Sequence, residues 1–570
     1  MAEEVWMLQT KKADFKQIGA RFRIDPVTAR IIRNRGIEGE AAIDRYLNGT
    51  LDDLYDPMLL KDMERAVSIL CEAVDTGKKI RIVGDYDIDG VCSTYILLQA
   101  FERLGSDVDF EIPDRIKDGY GINESIIEQA HADGVEVILT CDNGISAFHQ
   151  VELAKKYGMM VVITDHHEVP LDGEKEKIPP ADAVIDPKQA DCPYPFPEIC
   201  GAVVAYKLVQ VLYARRGVPQ MEWLDLLEFA AIATVGDVMK LQDENRILVK
   251  YGLKKMAQTK NLGLRRLAEK NNLDLGAITA YHIGFVIGPC LNAGGRLKTA
   301  KEALALLRAQ SEEEAERLAE ELKELNDTRK DMTEQGTEAA KLQVESWYQK
   351  DKVLVVFLPE CHESLAGIIA GRLREYYQKP AIVLTRGEEA VKGSGRSIDE
   401  YHMFKKLTEV SDLLLKFGGH PLAAGLSLEE KNIDEFRRRL NENAGLTEED
   451  FKAKVWIDVP MPVGYVTERL VRELSCLEPF GQGNEKPLFA EKSLRIRASR
   501  VLGSNRNVVK MTLEETDGHA IEALYFGDGT AFEEERAGRR EIDVVYYPDI
   551  NEYNGRKTLQ AVIRRYKFRG

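Results

Sequence analysis

Short apolar runs alternate with segments of helical periodicity from Lys79 to about residue 245. Lys79–Gly84 (KIRIVG) is apolar on both faces and closed by a glycine, which predicts a buried strand of the parallel kind. The same reading gives strands at Asp107–Ile112, Val135–Cys141 and Met159–Thr164, and helices at Val91–Leu104, Glu124–Ala132, Ala147–Tyr157, Ala202–Arg215 and Leu224–Thr234. That order predicts a doubly wound parallel sheet in an α/β protein. Residues 246–345 read as mostly helical, with the charged stretch from Ser311 to Leu325 running on towards Trp347 as a solvated connector. A second α/β unit follows: strand Lys352–Leu358, helix Leu365–Tyr377, strand Ala381–Thr385 and a glycine-rich return at Lys392–Ser397. Beyond about 455 the pattern changes to short strands between Gly, Asn and Asp turns. Leu494–Leu502, Val508–Glu514, Ile521–Phe526, Glu541–Tyr547 and Thr558–Phe568 fit a small five-stranded barrel. Residues 1–50 read as a helical segment with little chemical signal.

The polar residues that interrupt this pattern collect at strand ends. The first strand stops in three acids at alternate positions, Asp85, Asp87 and Asp89. Crowded carboxylates raise one another's pKa unless a cation neutralises them, and a strand-loop-helix unit places ligands beyond the strand ends. A lone Asp-x-Asp is more often a solvated turn, but two further strands end the same way. Val135–Cys141 delivers Asp142, before an Asn-Gly turn signal, and Met159–Thr164 delivers Asp165-His166-His167. The helix from Leu224 is followed by Gly236-Asp237. Oxygen-rich ligands with an imidazole suit Mn²⁺ or Mg²⁺ better than zinc. Six such groups exceed the needs of one ion and match two, the arrangement that activates water for phosphoryl transfer.

Composition adds limits. The chain has 570 residues, which predicts several domains, and no run approaches the length of a membrane span. The N-terminus MAEEVWMLQTKK lacks a signal-peptide apolar core, so a cytoplasmic protein is expected. Eight scattered cysteines without a CxxC pair read as reduced core thiols. A net charge of −17 gives no global attraction for a polyanion, so nucleic-acid binding must rest on local basic patches.

DYDIDG, CDNG, DHH and GDVM, in this order, resemble the four motifs of the DHH phosphoesterase superfamily. Tyr194-Pro195-Phe196 leading to Cys200-Gly201, Leu291–Leu297 (LNAGGRL), Gly418-Gly419-His420 and Glu478–Asn484 (EPFGQGN) are similar to the bacterial single-strand-specific exonucleases of that superfamily. The resemblance implies a DHH domain at 51–245, a helical connector at 246–345, an α/β DHH-associated domain at 346–452 and an oligonucleotide-binding barrel at 453–570, with the active cleft between the first and third. It implies that Asp85, Asp87 and Asp142 hold one metal and that Asp89, Asp142, His166 and Asp237 hold the other. His167 would face the scissile phosphate, and Asp165 would orient the loop or a histidine. Asp142, His167 and Asp165 are thus the expected catalytic set. In the second domain Arg396 and Ser394 of GSGRS, Gly418, Gly419 and His420, with Arg372, Arg296 and Asn292, are the expected phosphate and DNA contacts. Ordinary glycine turns and salt bridges remain the alternative for these. Three positions depart from the family pattern: Cys290, Cys361 and Lys240.

The barrel carries a second binding signal. Arg495, Arg497 and Arg500 share one strand, and Arg564–Arg569 (RRYKFR) interleaves charge with aromatic faces, as single-strand binding requires. The expected function is a Mn²⁺- or Mg²⁺-dependent exonuclease, here with two ions and Mn²⁺ preferred. It would release mononucleotides 5′ to 3′ from single-stranded DNA in repair and recombination. The expected protein is a monomer, with a single-strand-binding protein or a helicase as further partners. A DHH phosphodiesterase for short oligonucleotides or cyclic dinucleotides would use the same ligands but needs no barrel. A catalytically dead DNA-binding scaffold would have lost metal acids, and here every one is present.

Overall fold

The computed structural model describes residues 4–115, 119–553 and 555–569. The chain forms two units: Leu54–Met239 with Leu248–Ala453, and Glu4–Asp53 with Lys240–Ile247 and Lys454–Gly570.

Among the described residues the first unit contains two five-stranded sheets and one small two-stranded pair, Leu171–Asp172 with Lys175–Glu176. One has five parallel strands, β1 (Ile80–Val83), β2 (Val108–Glu111), β3 (Val137–Cys141), β4 (Met160–Thr164) and β5 (Ala183–Ile185), in spatial order β2-β1-β3-β4-β5. β1 and β3 are buried at every position, as strands covered on both faces must be. The paired register Val83 to Thr140 and Cys141 to Thr164 brings the carboxyl ends of β1, β3 and β4 level. Their following residues therefore emerge side by side. Helices α1 (Ile88–Arg103) and α2 (Gly201–Arg215) pack on the sheet, and α3 (Leu227–Gly236) packs on those two helices. α1 starts three residues earlier than the apolar pattern suggests, because Asp87 Oδ1 accepts from the backbone N–H of Asp89 and Gly90 and caps it.

Helix α4 (Gly288–Leu297) leads to α5 (Glu312–Gln343), the long charged helix, which spans roughly 48 Å at 1.5 Å per residue. The second sheet follows with β6 (Leu354–Phe357), β7 (Ala381–Arg386), β8 (Val391–Arg396), β9 (Leu414–Gly419) and β10 (Ala423–Leu428), in order β9-β10-β8-β7-β6. Helix α6 (Ala366–Tyr377) follows β6 in the chain and packs on β7 and β8. β6 and β7 are parallel and the rest antiparallel. The glycine-rich return is therefore itself a strand, β8, in which Gly393 and Gly395 give Leu384 and Met403 room to close over the sheet.

In the second unit β11 (Phe489–Leu502), β12 (Val508–Glu514), β13 (Ala520–Phe526), β14 (Glu541–Tyr553) and β15 (Arg556–Phe568) form a sheet ordered β11-β12-β13-β15-β14, with the two-residue strand Val459–Pro460 as a sixth beside β11. It closes through β11–β14 pairing, so the barrel has no open edge there. Its core includes Phe489, Val509, Phe532 and Tyr546, and also Ile31, Ile32, Ile43 and Tyr46 from the helices at Pro26–Asn34 and Glu40–Asn48. Among the described residues no helix is long and apolar enough to cross a membrane, and all eight cysteines are free thiols.

Candidate active site

The level ends of β1, β3 and β4 are followed by Asp85, Asp142 and Asp165, all three buried. Asp142 takes a left-handed backbone (φ 61°), a conformation uncommon outside glycine and residues such as Asp and Asn. α2 begins against it. Gly201 N–H and Ala202 N–H donate 2.7 Å hydrogen bonds to the two oxygens of Asp89, holding the carboxylate at a helix N-terminus. Gly201 is required by this approach, since a Cβ there would stand 2.7 Å from Cβ of Asp142. Gly90 likewise admits the start of α1, since a Cβ there would stand 2.4 Å from the carbonyl oxygen of Asp85.

His166 points its Nε2 into the acids, 3.0 Å from Asp142 Oδ1, 3.4 Å from Asp89 Oδ2 and 3.8 Å from Asp237 Oδ2. Ligand atoms of Asp85, Asp87 and Asp142 lie within 4.8 Å of one another, and so do those of Asp89, His166 and Asp237 and those of Asp142, His166 and His167. Asp142 stands in two of these groups. Asp165 is turned the other way. Its Oδ2 accepts from Ile145 N–H and its Oδ1 from His166 N–H and from His167 Nδ1 at 2.7 Å.

The electrostatics are those of a site short of positive charge. Burial, then the charge of Asp87, pushes the Asp85 carboxyl up to about 8. Burial, then Asp89 and Asp87, pushes Asp237 up to about 8. Burial and the neighbouring aspartates raise Asp142 well above the carboxylate range, and burial raises Asp89. Burial also lowers His166, whose neutral ring is the form that ligates a metal; its Nδ1 is buried without a hydrogen-bond partner among the described residues. Carboxylates and one neutral imidazole converging in a buried space fit hard divalent cations.

Beside the cluster a cavity of about 590 Å³ opens between the two sheets' loops, lined by Tyr86, Arg115, Arg296, Ser364, Ser394 and Arg396 among others. Arg115 lies over the Tyr86 ring, 4.8 Å from its centroid. Arg296 Nη1 donates to the Ser364 carbonyl at 3.0 Å and Arg396 Nη1 to its neighbour Gly395 at 2.8 Å. No carboxylate pairs with these guanidiniums among the described residues. Burial and the charge of Arg115 lower Arg296 to about 10. Gly367 at the start of α6 leaves the cavity open: a Cβ there would lie 2.9 Å from both Arg396 Nη2 and Ser394 Oγ.

Three family models match the chain: "DHH family, N-terminal domain" over residues 79–234, "DHHA1 domain" over 350–445 and "RecJ OB domain" over 457–565. The single-stranded-DNA-specific exonuclease RecJ of Bacillus subtilis is 36% identical over 98% of this chain and 70% of its own length. The chain belongs to the RecJ family. Crystal structures of RecJ from Thermus thermophilus match it as well. The Mn²⁺ complex has a TM-score of 0.84 and 28% identity over 99% of this chain and 79% of that one. The Mg²⁺ complex has a TM-score of 0.77 and 27% identity over 99% and 78%. This RecJ-family chain is a metal-dependent enzyme of the DHH group with an oligonucleotide-binding barrel.

On this RecJ-family scaffold the acids and histidines expected from sequence converge, and Arg396, Ser394 and Arg296 share the cavity beside them. The other expected contacts do not line it. Gly418 and Gly419 end the edge strand β9, His420 follows them exposed, Asn292 is half-buried on α4, and Arg372 projects from α6 beside Glu334 and Tyr376. Cys290 packs in the helical connector against Asn271 and Asn326, and Cys361 against its own loop. Sequence reasoning missed Tyr86 and Arg115 of the cavity, and Tyr120, whose hydroxyl donates to the Asp142 carbonyl at 2.7 Å and lies 3.0 Å from His167 Nδ1. Asn143 was legible only as a turn. It is a buried strut, donating to the carbonyls of Val83 and Cys141 and accepting from Ile122 N–H.

The basic end of the barrel differs most from expectation. Arg565 pairs with Glu4 at 2.7 Å, Arg569 with Asp543, and Lys567 donates to the Glu4 carbonyl and sits over Trp6. Tyr566 and Phe568 pack on Phe532. These rings serve the core instead of offering free stacking faces, and the Glu4–Leu8 strand that partners the cations lies at the other end of the sequence.

Proposed function

We propose that this protein is an exonuclease that degrades single-stranded DNA from the 5′ end to mononucleotides, using two divalent ions, with Mn²⁺ preferred. The observation that carries the reading is the convergence of Asp85, Asp87, Asp89, Asp142, His166 and Asp237 at strand and helix ends, with Asp142 grouped with Asp85 and Asp87 and its Oδ1 also 3.0 Å from Nε2 of His166, a member of the Asp89–His166–Asp237 group. In this reading Asp85, Asp87 and Asp142 hold one ion, and Asp89, Asp142, His166 and Asp237 the other. When bound, the ions supply an activated water and neutralise charge on the phosphate oxygens. The chain's own residues do the rest. Asp89 is pre-set by two backbone N–H groups, so that no reorganisation is needed when the ion arrives. Asp165 holds His167 with its Nδ1 proton engaged, leaving the ring to face the scissile phosphate as a cation. Arg115, Arg296 and Arg396 with Ser394 offer charge-assisted donors for a terminal phosphate, which supports action from an end. The closed barrel and the activity for which the relatives are named support a single-stranded substrate. A cytoplasmic monomer that meets a single-strand-binding protein or a helicase on its substrate completes the reading.

Asp142→Asn tests it. Hydrolysis of a labelled oligonucleotide at saturating Mn²⁺ should fall more than ~1000-fold, because both ligand groups lose a charge. Calorimetric titration should show weakened binding at both Mn²⁺ sites. Activity within about tenfold of the unmodified protein would remove the bridging assignment.

A further inference from the structure

Between Ala280–His282 and α4 the chain makes a π-helical turn, Ile283–Ile287. Such turns are rare and concentrate at functional sites. Its inner side is buried through Ile283 and Ile287. Its outer side carries Tyr281 and Phe285, whose rings stack with centroids 4.7 Å apart and planes 26° apart. Both are exposed, at 63% and 66%. Burying them would gain apolar contact, yet nothing among the described residues covers them.

The turn that carries them packs on α3, the helix that ends directly before Asp237. A Cβ on Gly284, between the two, would lie 3.7 Å from Val235, two residues before Asp237. Gly288 at the start of α4 and Gly236 both pack on Ile88, which stands between Asp87 and Asp89. Val238, directly after Asp237, is also exposed, at 64%. A two-ring surface is far smaller than the roughly 800 Å² that a protein partner covers, but it matches the face of one nucleobase, and stacking is indifferent to sequence.

We propose that Tyr281 and Phe285 form a stacking platform for a base of the single strand, positioning the chain for entry to the metal cluster. The inference rests on the nuclease reading above and adds positioning residues to it. These rings touch no reacting atom.

The test compares Tyr281→Ala, Phe285→Ala and their double variant with Tyr281→Phe and Phe285→Trp, on oligothymidylate and on the same strand with end-proximal base-free nucleotides. Each ring lost should raise KM on the order of tenfold on the normal strand, with kcat nearly kept, and Tyr281→Phe and Phe285→Trp should behave as the unmodified protein. On the base-free strand the double variant should be no worse than the unmodified protein. Equal KM for the unmodified protein and the double variant, or the same loss on both strands, would overturn the platform. Unmodified protein that cuts neither strand would defeat the nuclease reading instead. Fluorescence anisotropy of labelled oligothymidylate would then decide the platform alone: tighter binding by the unmodified protein than by the double variant supports it, and equal binding rejects it.

Discussion

Asp165 Oδ1 accepts a 2.7 Å hydrogen bond from Nδ1 of His167, and the two residues share one fate. Burial opposes ionisation of Asp165, yet this bond and the positive charge of His167 hold its carboxyl below the usual range. Burial likewise disfavours a charged His167, yet the same partner lifts it to about 9. The first prediction follows from the pair. Asp165→Asn keeps the shape but removes the charge, so His167 should lose its orientation and its proton. Turnover at saturating Mn²⁺ should fall by roughly 100-fold or more, while Mn²⁺ affinity by calorimetry stays close to that of the unmodified protein. A variant that regains full turnover with excess metal would place Asp165 among the ligands instead.

The acid cluster gives the metal-free protein an unusual dependence on pH. Folding raises Asp85 and Asp237 to about 8, whereas an unfolded carboxyl titrates near ~3.9. Between about pH 4 and 8 the folded state therefore holds protons that the unfolded chain has released, and stability falls as pH rises. Calorimetry of protein stripped with EDTA should show Tm declining from about pH 5 to 8, saturating Mn²⁺ should abolish the decline, and Asp237→Asn should flatten it. A metal-free Tm that climbs across this window would contradict the assigned burial of the acids.

Much of this site is legible in the sequence because buried parallel strands are continuously apolar, so the first acid after each one marks a strand end. Asp85, Asp142 and Asp165 declare themselves in that way, and Asp237 as an acid beyond a helix end. The cavity is only half legible. Arg396 and Ser394 announce themselves by the surrounding glycines, whereas Tyr86 is hidden among aspartates and Arg115 lies in a loop without periodicity. β5 has three residues, too few to register as a pattern. The partner of Arg565 is illegible in principle, since Glu4 lies at the opposite end of the sequence and only the folded unit brings it near.

The cavity makes a third prediction. Arg396 faces no acid among the described residues, and burial and the charges of Arg115 and Arg374 lower it, the mark of a cation awaiting an anion. Loss of one charge-assisted contact is worth roughly tenfold to a hundredfold. Arg396→Ala should therefore slow degradation of a 5′-phosphorylated strand by that factor and leave a 5′-hydroxyl strand nearly unchanged. If a 3′-phosphorylated strand shows the loss instead, the polarity of the enzyme is the reverse of that proposed.

The barrel separates arginines that sequence alone treats as equal. On β11, Arg497 is held by Glu514, and at the end of β15 Arg569 is held by Asp543 at 2.7 Å. Arg495 and Arg500 are exposed on β11 with no carboxylate partner among the described residues. Arg500 stands opposite Lys510 in the adjoining strand, and Lys510 pairs with Glu522 at 3.0 Å, which leaves that lysine neutralised and Arg500 as the free cation of the two. A guanidinium already neutralised releases no counterion when it meets a phosphate, whereas a free one does. Arg495→Ala and Arg500→Ala should each lower the slope of log K against log salt by about one, with affinity for a long single strand weakened uniformly across sequences. Arg497→Ala and Arg569→Ala should leave the slope within error. Anisotropy titrations over a range of NaCl concentrations measure all four. Equal slopes for the four variants would mean that the strand does not run along β11.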